Sequence, residues 1–249
     1  MRPAKIPLFA CLMFLSFSLT ALTAFSLLEA ANLEPLPIRV GEILTYSVKI
    51  SGIPAGKQIT KVVQATTLNG HRVYHLTSES QTDSVFAKLY HFRDWKESYI
   101  TTDQLYPVRH VKDLEDRKYR AHVEVNFDVD NGSAQYLKNQ KRKVIEVPSG
   151  IQDELSMVYF VRFKQLRVGQ TYTFPVLVKD KSQDVMLTID RREVVKTKAL
   201  GRVETLVLRT SHGYLMWITN DSRRIPVRIE AETSFGKLIG ILEKVNFVD

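Results

Sequence analysis

Cysteine is almost absent from this sequence of 249 residues: the only one, Cys11, lies inside an apolar N-terminal stretch. From Leu36 onward the chain therefore has no disulfide and no thiol nucleophile, and its fold must rest on its core alone. After Leu28 no run is apolar enough to span a bilayer as a helix. No G-x-S-x-G elbow, phosphate-binding loop or His/Cys/Asp/Glu cluster at ligand spacing occurs, so neither metal nor cofactor is expected. Aromatic residues are not interleaved with the basic ones, as a platform for stacking bases requires, so nucleic acid is not an expected partner. Repeats, linkers and low-complexity tracts are also missing, which favours one compact domain over disorder.

What is present begins with "MRPAKIPLFACLMFLSFSLTALTAFSLLEAAN". Arg2 and Lys5 precede an apolar run from Leu8 to Leu28, followed by the small residues Ala30 and Ala31. Residues 1–31 read as an export signal, or as an uncleaved N-terminal anchor. "LFAC" ends at Cys11 before most of the apolar run, too early for a lipoprotein box. Residues 36–249 are then a single exported domain, placed in the periplasm or cell envelope. Hydrophobic residues make up 44% and charged residues 25% of the chain, and the formal net charge of +8 favours anionic surfaces.

Alternation with period two dominates the exported part and predicts some dozen strands. "EILTYSVKI" (Glu42 to Ile50) puts Leu44, Tyr46, Val48 and Ile50 on one face. "GIPAG" (Gly52 to Gly56) reads as a turn, and Asn69-Gly70 is the strongest hairpin signal. "DSVFAKLYHFR" fits either a short helix capped by Ser84 or a strand. "VPSGIQDELSMVYFVRFKQL" stands apart. Pro148 and Gly150 block an earlier start, Asp153 can cap, and a helix is expected from Glu154 to Gln165. Its residues are apolar nearly all round, which predicts a buried helix plugging a curled sheet. The fold class is therefore mainly β: a curled antiparallel sheet, a β-spiral or open barrel, with one buried helix.

Arg162 falls between Val158, Tyr159 and Leu166 on that helix, where a charge must be paired or reach water. Asp94 and Glu97, in "FRDWKESY", are the expected partners; an anion-holding group at a pocket mouth and a snorkelling surface side chain are the other readings. Two basic clusters read either as solvated turn charge or as contacts for acidic lipid or polymer: Lys138, Lys141, Arg142 and Lys143 in "KNQKRK", and Arg223, Arg224 and Arg228 in "SRRIPVR". His71 and His75 lack a third metal ligand, and Ser211 beside His212 on a strand would face opposite sides. Asp94, Glu97, Glu124, Asp190 and Glu230 are scattered, and nothing selects two of them as acid and base.

Four stretches, "GEILTYSVKISGIPAG", "FRDWKESYITTDQLYPVR", "VPSGIQDELSMVYFVR" and "MWITNDSRRIPVRIEAETSFGKL", resemble in order and spacing a bacterial family, domain of unknown function 3108. The resemblance spans Gly41 to about Leu242. It implies an exported envelope protein with a curled, mostly antiparallel β domain, and no catalytic residues to carry over. The chain departs from the family pattern with the polar "KQITKVVQ" where an apolar strand is usual. The expected role is non-enzymatic binding of an apolar or lipid-like ligand, or of an envelope protein or polymer. An enzyme acting on envelope glycan or lipid, and a structural or assembly factor, are the alternatives.

Overall fold

The computed structural model describes residues 37–233 and 236–248; the stretch read as export signal or anchor lies outside them. Eight strands follow one another as antiparallel hairpins: β1 (Glu42–Ile50), β2 (Ile53–Leu68), β3 (His71–Thr82), β4 (Phe92–Thr101), β5 (Pro107–Asp116), β6 (Tyr119–Asp128), β7 (Ser133–Lys138) and β8 (Lys141–Glu146). A short helix, α1 (Ser156–Arg162), crosses to a second meander of β9 (Thr171–Val178), β10 (Lys181–Thr197), β11 (Gly201–Thr210), β12 (Leu215–Thr219), β13 (Pro226–Thr233) and β14 (Gly236–Phe247). β14 then pairs with β1, joining all fourteen into one sheet in the order β8 through β1, then β14 back to β9. The sheet is not closed. Its two edges, β8 and β9, flank the crossover that carries α1.

The turns follow the chemistry of their residues. Asn69 (φ 50°) and Gly70 (φ 84°) make the expected two-residue hairpin between β2 and β3. The "GIPAG" segment differs from its reading as a turn. The turn is Ser51-Gly52, with φ 49° and 83°, and Ile53 to Gly56 already belong to β2. Gly56 is there for space: a Cβ would lie 2.1 Å from the Gln81 carbonyl oxygen of β3. The ambiguous segment after β3 forms a 3-10 turn at Phe86–Lys88. It is capped by Asp83, whose carboxylate accepts the Val85 and Phe86 N–H groups, and not by Ser84. Half of the polar "KQITKVVQ" of β2 is exposed and most of the rest half-buried, with only Ala55 and Val62 of the strand buried.

α1 is buried within the curl, as expected, but shorter than the expected Glu154 to Gln165. The bonds of Val158 to Leu155, Phe163 to Phe160 and Lys164 to Val161 tighten both of its ends. Asp153 does cap it: its carboxylate accepts the Leu155 and Ser156 N–H groups, each at 2.7 Å, while Ser156 Oγ accepts the Asp153 N–H at 2.8 Å. Leu155 and Tyr159 pack with Val62, Leu76 and Ile100. On the other side, Val161 and Leu166 pack with Phe174, Leu187, Leu206 and Leu208. β11 is covered on both faces, because Val207 joins a separate cluster with Leu44, Tyr46, Trp217 and Leu242. Just before α1 the chain lies along the edge of β9. Gln152 N–H bonds to Pro175 O at 2.9 Å, and Leu177 N–H bonds to Gln152 O at 2.7 Å. Pro175 is tolerated within β9 because that strand is an edge.

Candidate functional site

Arg162 does sit in a buried ion pair, but its partner is neither Asp94 nor Glu97. It is Glu42, at the start of β1, whose two oxygens receive Nη1 at 2.6 Å and Nη2 at 2.8 Å; Nη2 also bonds to Arg223 O at 3.1 Å. Both side chains are almost wholly buried, at 1% and 4% exposed. Burial opposes the charge of Arg162, but the Glu42 carboxylate outweighs it and raises the guanidinium pKa further. The Tyr159 hydroxyl beside them is pushed up, chiefly by burial. Asp94 faces the interior but meets Lys96 at 2.6 Å. Glu97, three residues along the strand, faces the outside toward His75 at 3.5 Å. The signal for Glu42 was its phase: it shares the inward face of Leu44 and Tyr46.

The interior of β4 and β5 carries a polar strip that ends at the start of α1. Ser98 donates to Asp153 Oδ2 at 2.5 Å, and His110 Nδ1 lies 3.5 Å from Asp153 Oδ1. Lys96 and Lys112 are directly opposed across the two strands. Two ammonium groups so placed repel, and Glu154 lies between them, 3.2 Å from Lys96 and 2.8 Å from Lys112. Burial would raise the Glu154 pKa, but the two lysines overcome it and hold the carboxyl at about 2, against 4.5 ordinarily. Burial likewise opposes the Lys96 charge, and Glu154 and Asp94 restore it, leaving its pKa raised.

Beside this strip the curl is not filled. A cleft of about 410 Å³ runs between β5–β7 and the end of β9. His110, Lys112, Asp153 and Glu154 line its inner part, Leu114, Ala121, Val123, Val125, Tyr136, Leu177 and Val178 its walls, and Tyr119, Lys138 and Lys179 its mouth. Leu114, Val123 and Val178 remain half-buried. The cleft is thus apolar along its walls, charged at its inner end and basic at its mouth. It can take a ligand with an apolar chain and a polar head.

The other marked residues are dispersed. Lys138 is at the cleft mouth, Lys143 pairs with Asp180, and Lys141 and Arg142 are exposed on the edge strand β8. Arg223 is bound by Asp221 at 2.5 Å, and Arg224 follows it in the same turn. That turn and "KNQKRK" are at opposite ends of the strands, so the two basic clusters do not form one surface. Glu124 pairs with Arg109, Asp190 with Arg209, and Glu230 with Arg228 and Lys237. Ser211 and His212 lie in a turn rather than on a strand and touch at 3.4 Å, both exposed. Among the described residues no group of three or more potential metal ligands is found, and no helix is long and apolar enough to cross a membrane.

The family model of DUF3108, described as a protein of unknown function, matches residues 45–243. No curated protein matches the chain. Among solved structures, the chain is similar to a beta-barrel-like protein of domain of unknown function DUF1849 from Brucella abortus. The TM-score is 0.57 at 10% identity, covering 85% of this chain and 100% of that one. A candidate lipoprotein from Parabacteroides distasonis matches at a TM-score of 0.35 and 10% identity, over 85% of this chain and 97% of that one. The first likeness shows the fold; the second is too low to carry an argument.

Proposed function

This chain belongs to the DUF3108 family, and from that premise we propose that it is a non-enzymatic, exported protein of the cell envelope that binds an amphiphile in its interior cleft. The observation that carries this reading is the cleft itself. Its volume falls within the range of about 300–1,000 Å³ usual for small-molecule sites. Its apolar walls suit one acyl or similar chain, and Lys138 and Lys179 at its mouth suit an anionic head. The charged start of the sequence and its long apolar run support export.

Glu154 is not suited to be the general acid of a hydrolase. A carboxyl held at about 2 stays ionised at neutral pH and cannot protonate a leaving group. The edge strand β8 favours an assembly role less, because its Lys141, Arg142 and Lys143 blunt strand pairing with another chain.

The test is native mass spectrometry of the protein purified from its own envelope, followed by titration with a fluorescent fatty acid and a lysophospholipid. Co-purified lipid and micromolar binding are expected, with at least a tenfold loss in Ala121→Trp, which fills the cleft. A protein that carries no lipid and binds neither probe overturns the reading. Turnover of a glycan or ester that depends on a single carboxylate establishes the enzymatic alternative in its place.

A further inference from the structure

Antiparallel hairpins send alternate turns to the same end of a sheet. One end gathers the β1–β2, β3–β4, β5–β6 and β7–β8 turns together with the end of β9. The two most exposed large apolar side chains among the described residues are both there, in the β3–β4 loop: Val85 at 78% and Leu89 at 83%. Ile53, at 60%, is the first residue of β2, just past the adjacent turn. An isolated exposed apolar residue means little, but a group on neighbouring turns calls for a partner.

These turns are tied into a firm rim. Asp83 N–H bonds to Ala55 O at 3.0 Å, and Arg117 N–H bonds to His91 O at 2.8 Å. Tyr90 donates to Asp116 at 2.6 Å, and the Arg117 guanidinium lies over the Tyr90 ring at 4.5 Å. The exposed charges around the apolar tips are basic: Lys88, Arg117 and Lys118, with Lys141 and Arg142 further along. The nearby acids are engaged within the rim. Asp83 caps the 3-10 turn, Asp116 accepts from Tyr90, and Glu115 is held by Arg120 at 3.0 Å and His91 at 3.2 Å. At the opposite end of the same strands the β4–β5 and β6–β7 turns carry Asp103 and Asp130 instead.

We propose that this rim is a docking surface for an anionic bilayer, with Val85 and Leu89 entering the headgroup layer and Lys88 and Lys118 meeting lipid phosphates. Apolar tips ringed by basic residues combine the two terms that hold a protein at a lipid surface, apolar burial and attraction to anionic headgroups. The cleft mouth, at Tyr119, Lys138 and Lys179, opens at this same end. Docking by the rim would therefore present the cleft to the bilayer. The docking surface stands on its own observations; only this use of it rests on the ligand reading.

The test uses the full-length chain with Cys11→Ser and one new cysteine, Leu89→Cys on the rim or Asp130→Cys at the far end, each labelled with a polarity-sensitive fluorophore. Comparing two positions in the same chain separates contact by the rim from any tethering by residues 8–28. On vesicles of mixed phosphatidylglycerol and phosphatidylcholine, the probe at 89 shifts to the blue and is quenched by lipid-borne nitroxide, while the probe at 130 is unchanged. Phosphatidylcholine vesicles give no shift. Raised salt and the double variant Lys88→Glu/Lys118→Glu abolish the shift on anionic vesicles. Ala121→Trp leaves the shift intact, so loss of cleft binding and loss of docking are distinguishable. An equal response at both positions, no response at 89, or a shift at 89 on adding unlabelled protein without vesicles each overturns the proposal; the last points to a second copy as the partner.

Discussion

Replacing Arg162 by Met tests how the helix is held in the curl. The substitution keeps most of the side-chain volume but leaves the Glu42 carboxylate, 4% exposed, without the two guanidinium bonds of 2.6 and 2.8 Å that neutralise it. Leaving one member of a buried pair alone costs about 3–5 kcal/mol. Glu42→Leu, which strands the guanidinium instead, should cost about the same. The double variant Glu42→Leu/Arg162→Met removes both charges and should recover most of the loss, since apolar residues of similar volume replace buried pairs at little cost. Urea unfolding followed by tryptophan fluorescence measures all four corners of the cycle. At about 2–4 °C per kcal/mol for a domain of this size, each single variant should also melt about 6–20 °C lower. Additive losses, with the double variant the least stable, would refute the reasoning and mean that the two charges are stabilised separately. Arg162→Lys should behave nearly as badly as Met, because an ammonium cannot reach both Glu42 oxygens and the Arg223 carbonyl.

Acid stability should depend on Glu154, whose carboxyl falls from 4.5 to about 2 on folding. A depressed pKa stabilises the native state fully above the unfolded value and loses that contribution as pH drops toward 2, so Glu154→Gln should flatten the acid limb by about 2 kcal/mol, after discounting for its partial exposure. Equal acid midpoints in the two proteins would count against the Lys96 and Lys112 pairing. Gly56→Ala places a Cβ against the Gln81 carbonyl oxygen and should destabilise by about 1–3 kcal/mol, read as a lower urea midpoint. A neutral result would show that β2 and β3 can separate there without loss.

Much of this architecture was legible because it is local. Alternation marks each strand, Asn69-Gly70 marks its hairpin, and Asp153 marks the helix start. The errors arise where geometry is decided by a neighbour. "GIPAG" looks like a turn because glycine commonly supplies positive φ, yet Gly56 is required by the backbone of β3. The helix was read too long because residues 163–166 continue its apolar pattern while the chain already tightens at Phe163. The site was the least legible part. Lys96 and Lys112 are sixteen residues apart in the sequence, and only strand register sets them face to face, creating the need that Glu154 meets. Glu42 is 120 residues from Arg162. Its inward phase was visible, but no local rule connects a strand start to that helix.

The two ends of α1 are held by charge and its sides by apolar packing, and these do different work. Leu155, Tyr159 and Val161 bury apolar surface whichever way a short helix slides or turns inside the curl, since such contacts have no direction. A helix of seven residues has few of them to choose between alternative seats. Hydrogen-bonded charges do have direction. Asp153 and Glu154 must meet Ser98, Lys96 and Lys112 at one end, and Arg162 must meet Glu42 at the other. A displacement that satisfies one end strands buried charge at the other. Apolar residues in their place could be as stable, but they would leave the position of the helix open. That position sets the inner boundary of the cleft, because Asp153 and Glu154 line it. A protein that only needed a plug could have filled the curl with Leu and Val; one that must keep a cavity of fixed shape beside the plug has reason to key the helix at both ends.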